Sequence, residues 1–311
     1  MQVENKKETD IFVPYWTITN NPLQIQKYDK IIYFGITASH NGINTSDDGY
    51  THIQPFVAQT QGKQTILCIT LTNQDFNDSL LENKQLQQKI INESISIAKE
   101  NSFSGILLNF EFNALGFEQV IKNINDFYQL ASSSIKKDNL SFYTTVYGDT
   151  FYRSRPYDIK KIASLSDSIF VMAYDLHKAN GDPGPNFPLN SEDYDIKKMT
   201  EDFLQKISAS KLVIVFGMYG YDWKVTDNAS SIGKGTAITD SEVIAKFYPN
   251  CPFDDCKIKN DSISAETNIL YSVKNQKHSL WFETLGSVNK KQQYLFSKNV
   301  TSTAFWAYSY F

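Results

Sequence analysis

Short apolar runs alternate along the chain with longer stretches in which apolar residues recur every third or fourth position. Eight short runs, at 11–16, 30–37, 65–71, 105–111, 140–146, 168–174, 212–218 and 303–307, read as strands. The helical spacing is clearest at 80–100 and 116–135. Eight strands separated by helices predict an α/β chain folded as a (β/α)8 TIM barrel rather than an open sheet. The rhythm breaks between Trp223 and Trp281, where Ser, Asn, Asp and Lys dominate around a helix-like patch at 241–248 and a strand-like one at 268–273. That stretch is too long for a plain loop. A small α+β insertion is therefore expected over 224–280, with 1–223 and 281–311 forming the barrel. Only a few residues follow the eighth strand, so the usual closing helix is expected to be missing or very short.

The run from Phe103 to Glu111 is the most informative. Alternation on a strand puts Gly105, Leu107, Asn109 and Glu111 on one face, while Ile106, Leu108 and Phe110 share the other. The second face is wholly apolar, as in a parallel strand covered by helices. An ionisable group at the end of such a strand is costly to bury without a purpose. In barrels of this kind functional residues sit at the carboxyl ends of the strands. Glu111 ends the fourth strand, Tyr174 and Asp175 the sixth, Met218 and Tyr219 the seventh, and Trp306 lies in the eighth. All are expected to face one site.

Composition narrows the chemistry. A length of 311 residues suits one large barrel, and no run of about 18 apolar residues suggests a membrane span. The net charge of -4 and a pI near 5.6 argue against nucleic acid as a partner, since such surfaces usually carry a basic stripe. The abundance of Tyr (18) and Phe (21) favours stacking on flat neutral ligands such as sugar rings. His40, His52, His177 and His278 are scattered without metal spacing, so neither a metal nor another cofactor is expected. Of three cysteines, Cys68 reads as a buried thiol, and Cys251 and Cys256 could close a small loop in an exported protein. The polar N-terminal stretch lacks the apolar segment of a signal peptide.

These residues resemble the family 18 glycoside hydrolases across nearly the whole chain. The family's Asp-x-x-Asp-x-Asp-x-Glu strand aligns with Ser104, Leu107, Asn109 and Glu111, and its Met-x-Tyr-Asp with Met172-Ala-Tyr174-Asp175. Asp182-Pro-Gly-Pro185, Gly217-Met-Tyr219-Gly-Tyr221-Asp-Trp223, Ser279-Leu-Trp281-Phe-Glu283 and Trp306 add to the likeness. It is nearest to the bacterial subgroup that includes spore-cortex-lysing N-acetylglucosaminidases. The resemblance implies a chitinase-like glycosidase acting on β-1,4 linkages next to N-acetylglucosamine, in chitin, peptidoglycan or N-glycans, by a retaining substrate-assisted mechanism. Glu111 would be the general acid and base. Tyr174, Asp175, Met172, Tyr219 and Trp306 would bind the sugar, and the protein would act as a monomer that is secreted or associated with a cell wall.

The motif departs from the family pattern where Ser104, Leu107 and Asn109 stand in place of Asp. Losing the charge at Asn109 weakens stabilisation of a cationic intermediate. On that ground the alternative is a weak or inactive chitinase-like lectin for N-acetylglucosamine glycans. Against it, Asn109-Phe-Glu111 is similar to the Asn-x-Glu site of family 85 endo-β-N-acetylglucosaminidases, where an Asn amide orients the substrate acetamide. Asn109 would then share the catalytic work with Glu111.

Overall fold

The computed structural model describes residues 7–311; Met1 to Lys6, most of the polar N-terminal stretch, lie outside the described residues. Eight parallel strands close on themselves: β1 (Glu8–Pro14), β2 (Lys30–Ser39), β3 (Gln64–Leu71), β4 (Gly105–Phe110), β5 (Ser141–Tyr147), β6 (Ser168–Ala173), β7 (Leu212–Gly217) and β8 (Ser302–Trp306). Each pairs with the next in parallel register, and β8 pairs back onto β1, which makes the (β/α)8 barrel. The alternation expected of the strands sorts the side chains into two cores. Phe12, Ile32, Ile66, Cys68, Leu107, Tyr143, Phe170, Val213, Val215 and Ala304 fill the barrel interior. Their sequence neighbours, such as Ile11, Ile31, Leu67, Ile106, Phe142 and Ile214, pack outward against the helices. Cys68 is a buried free thiol in the inner layer.

Helical periodicity misses one break. The stretch 80–100 is covered by two helices, Gln74–Glu82 and Lys84–Glu100. Asn83 between them leaves helical geometry and turns its side chain onto the N–H of Leu86, capping the second helix. Gln87 is buried and donates to the last carbonyls of the first helix, Leu80 and Leu81, at 2.9 and 3.2 Å. The next helix runs Glu118–Lys137. Tyr15 and Trp16, read as the end of the first strand, fall instead in a short 3-10 turn, Tyr15–Thr17.

Between β7 and β8 the chain builds a five-stranded antiparallel sheet in the order Thr236–Thr239, Tyr219–Val225, Gln276–Phe282, Thr267–Val273, Asp254–Asn260. The helix Asp240–Phe247 lies on it through Val243 and Phe247, which meet Ile269, Tyr271, Leu280 and Phe282. Cys251 and Cys256 are joined in a disulfide and pack at the edge of that cluster. The sheet starts at Tyr219, directly after β7, so its first strand stands at the mouth of the barrel. Among the described residues no helix is long and apolar enough to cross a membrane.

Candidate active site

The carboxyl ends of the barrel strands surround a cleft of about 300 Å3. Asn109 and Glu111 from β4, Met172, Tyr174 and Asp175 from β6, Tyr219 from the start of the antiparallel sheet, and Trp306 from β8 all line it. These are seven of the eight positions singled out from the sequence; the eighth is Met218. Met218 does not line it; its side chain is fully buried in the outer core.

Glu111 follows β4, and its N–H still donates to the Leu71 carbonyl at 2.9 Å while its own carbonyl accepts from Asn77 at 2.9 Å. The backbone is fixed on both sides. Its carboxyl accepts from Asn109 Nδ2 at 3.0 Å on one oxygen and from the Tyr147 hydroxyl at 3.3 Å on the other. Burial raises the Glu111 pKa above the ordinary glutamate value, against the opposing pull of those two donors, with Asp175 adding a smaller push upward and Lys178 a smaller pull downward. The carboxyl is thus biased toward its protonated form.

Asn109 is buried and held from the next strand, because its Oδ1 accepts from the Thr145 hydroxyl at 2.5 Å. One amide group therefore bridges β5 to the carboxyl. Leu107 sits two residues deeper in the apolar barrel interior, and Ser104 at the far end of the strand donates to the Thr65 carbonyl at 2.9 Å. Neither reaches the cleft.

The other two carboxylates in the cleft are already engaged. Asp175 Oδ1 accepts from the hydroxyls of Tyr219 at 2.6 Å and Tyr221 at 2.8 Å. Its backbone has φ +60, an uncommon region for a side-chain-bearing residue. Asn186 holds it there by accepting the Asp175 N–H at 2.7 Å. Asp149 accepts from Arg155 through both oxygens, at 2.5 and 2.9 Å, and pairs with Arg153 Nε at 2.9 Å. Those are the only two arginines in the chain, and both are spent on one carboxylate. Arg155 also lies 3.7 Å over the Tyr147 ring, which fixes the phenol that reaches Glu111.

Aromatic groups form the rest of the cleft. Trp306 packs edge-on against Phe12 and Phe34 at 5.7 and 4.6 Å between ring centres, and the half-exposed Trp16 stands beside it at 6.4 Å. Tyr174 presents a hydroxyl that makes no hydrogen bond to protein among the described residues, its pKa raised well above the usual phenol value by burial. Sequence reasoning passed over Thr145, Tyr147, Asp149 and Lys178. The signal for the first two was available, because Tyr143, Thr145 and Tyr147 alternate onto the inward face of β5 in the same way as Leu107, Asn109 and Glu111 on β4.

A closed parallel barrel whose strand ends gather one protonation-biased carboxyl, an amide beside it and an indole wall is suited to holding a sugar ring beside a proton donor. The chain belongs to the glycosyl hydrolases family 18, which it matches over residues 9–310. It is 28% identical over 222 residues to the glycosylase YvbX of Bacillus subtilis, covering 70% of this chain and 60% of that one. It is 21% identical over 260 residues to the cortical fragment-lytic enzyme of the same organism, covering 80% and 58%. The matches thus span about 60% of the length of these curated relatives. Among solved structures, a family 18 chitinase from Cycas revoluta in complex with (GlcNAc)3 superposes with a TM-score of 0.84 at 18% identity, covering 97% of this chain and 95% of that one. The spore cortex-lytic enzyme SleL of Bacillus cereus gives 0.75 at 17% identity, covering 97% and 71%.

Proposed function

We propose that the protein cleaves β-1,4 bonds next to N-acetylglucosamine with retention, using the substrate's own acetamide as nucleophile. The observation that carries this reading is the state of the three cleft carboxylates. Asp149 is neutralised by two arginines and Asp175 is occupied by two phenols, which leaves Glu111 as the one carboxyl placed to exchange protons. A scheme needing two free carboxylates has no second candidate here, whereas a substrate-assisted one needs only an acid.

In the first step the acetamido oxygen bonds to the anomeric carbon while the bond from that carbon to the leaving oxygen breaks, and the Glu111 proton passes to that oxygen. In the second, water attacks the anomeric carbon of the cyclic intermediate, the acetamido oxygen departs, and the Glu111 carboxylate takes the water proton. Tyr174 donates to the acetamido oxygen, Asn109 accepts the acetamide N–H through the free lone pair of Oδ1, and Trp306 underlies the sugar ring. An amide also suits both forms of Glu111. With Nδ2 facing it, Asn109 donates to the carboxylate; rotated by half a turn, it accepts from the carboxylic acid.

The test is incubation with N-acetylglucosamine oligomers. Product carrying the β-anomer first, abolished by Glu111→Gln, supports the reading; α-anomer product would overturn the retaining mechanism. The lectin reading rests on the missing charges at Leu107 and Asn109. Tight binding without product, unchanged by Glu111→Gln, would establish it instead.

A further inference from the structure

We propose that Lys178 makes the cleft selective for an N-acetylated glycan that carries a carboxylate, over an uncharged one. This rests on the glycan-cleaving site proposed above and narrows its substrate. Lys178 is the only lysine or arginine that lines the cleft among the described residues. It is exposed, and its ammonium makes no ion pair or side-chain hydrogen bond among the described residues. The other charged groups around it are matched: Asp149 by Arg153 and Arg155, Asp175 by the hydroxyls of Tyr219 and Tyr221, and Glu111 by Asn109 and Tyr147. A cation is left over at the cleft wall.

Its backbone is held in place. Ala179, the next residue, is buried with Tyr221, Trp223 and Val225, and its carbonyl accepts from Trp223 Nε1 at 3.2 Å and from the Gly235 N–H at 2.8 Å. The Lys178 carbonyl accepts from the Gly181 N–H at 2.9 Å, and Asp182 receives the Ser231 N–H at 3.0 Å. The antiparallel sheet thus clamps the segment that carries the ammonium, so only the flexible side chain needs ordering when an anion arrives.

The position is also electrostatically opposed to the acid. The Lys178 charge favours ionised Glu111, which works against the protonated form that burial supports. An uncharged glycan leaves that opposition in place. A substrate carboxylate beside Lys178 cancels it, so the same contact that binds an acidic glycan also helps keep Glu111 protonated in the complex. Discrimination then extends to turnover as well as binding.

The shared chemistry, a carboxylate on a glycan containing N-acetylhexosamine, has two sources: a lactyl ether, as on N-acetylmuramic acid, or a uronic acid in the chain. Calorimetric titration of the Glu111→Gln protein, which stays idle, would compare three tetrasaccharides: all N-acetylglucosamine, one alternating with N-acetylmuramic acid, and one alternating with glucuronic acid. The expected result is about fivefold tighter binding of one acidic tetrasaccharide than of the neutral one, as for an ion pair near a protein surface. Which acidic ligand shows the preference identifies the source. Adding Lys178→Met should bring the ratio to within about twofold of unity, and raising salt should shrink it in the single variant alone. Equal binding of neutral and acidic ligands, or a preference that survives Lys178→Met, overturns the selectivity and leaves the glycan site standing. No binding of any of the three overturns both.

Discussion

Lys291 is fully buried between two carboxylates, 2.8 Å from Glu266 Oε1 and bonded also to Glu283 Oε2. Lys291→Met keeps most of the side-chain volume and deletes the only positive charge. Removing one partner from a buried ion pair costs about 3–5 kcal/mol, because the remaining charge stays desolvated. Here the carboxylates keep other donors: Glu266 still accepts the N–H groups of Asn186 at 2.6 Å and Phe187 at 2.9 Å, and Glu283 keeps the Ser287 hydroxyl. The lower end, about 3 kcal/mol, is therefore expected at pH 8.

The cost should depend on pH. Burial pushes Glu283 up to about 7 from 4.5, with Lys291 the largest influence in the opposite direction and Glu266 reinforcing the rise. A carboxyl whose pKa is higher folded than unfolded contributes stability below 4.5 that is lost as the pH rises through about 7. Without the ammonium Glu283 holds its proton to higher pH still. The Lys291→Met cost should thus be smaller at pH 5, where Glu283 is neutral, than at pH 8. Urea unfolding of both proteins at the two pH values measures it. A cost below about 1 kcal/mol at pH 8, or equal costs at both, would refute the reasoning. Lys291→Met with Glu283→Gln should recover part of the loss, because one of the two stranded charges is gone.

Two further outcomes follow from single side chains. Asn109→Ala should lower turnover of N-acetylglucosamine oligomers by at least about 10²-fold, as for loss of a preorganised hydrogen-bonding group, while Asn109→Asp need not restore it because Leu107 offers no partner; steady-state kinetics of both variants check this, and a fully active Asn109→Ala would sink the role. Asp10 at the other end of the barrel is fully buried and pushed up to about 7 by burial despite Lys30 beside it, so Asp10→Asn should stabilise the protein by an amount that grows as pH rises from 3.8 to about 7 and then levels off, read from unfolding midpoints across that range; a gain that shrinks with pH would contradict it.

The barrel was legible because each strand carries its own record in period two, and the inner layer of Phe12, Ile66, Leu107 and Phe170 follows from parity alone. Helix ends were less so. Asn83 breaks what reads as one periodic stretch, since a capping side chain leaves the apolar spacing on either side nearly undisturbed. At the site, residues at strand ends with unusual chemistry stood out, and all the candidates but the apolar Met218 line one cleft. What escaped were groups whose importance lies in pairing. Asp149 and Arg155 look like ordinary surface charges until the fold sets them 2.5 Å apart beside Tyr147. Glu266 and Lys291 are 25 residues apart, and nothing in their neighbours says that both are buried.

That buried pair has a bearing on the cleft. Glu266 accepts the Asn186 N–H, and Asn186 in turn holds the Asp175 N–H with its side chain and the Leu176 N–H with its carbonyl at 2.9 Å. A residue at φ +60 costs on the order of 1 kcal/mol and persists only where its surroundings over-determine it. Here the determination reaches from Lys291 through Glu266 and Asn186 to a carboxylate that two phenols then fix on its other side. The same economy governs β4. An Asp at position 107 would bring a carboxyl into an interior made of Phe12, Ile66, Cys68 and Phe170, where it is stable only by sharing a proton with a second carboxyl at 109. With a neutral amide at 109 that need disappears, and Leu107 completes the apolar layer. The two replacements are physically one change, and the chain from Thr145 through Asn109 to Glu111 and Tyr147 keeps every polar group in it bonded. Loss of function by drift gives no reason for such matching; the proposed function, in which an amide holds the acid, does.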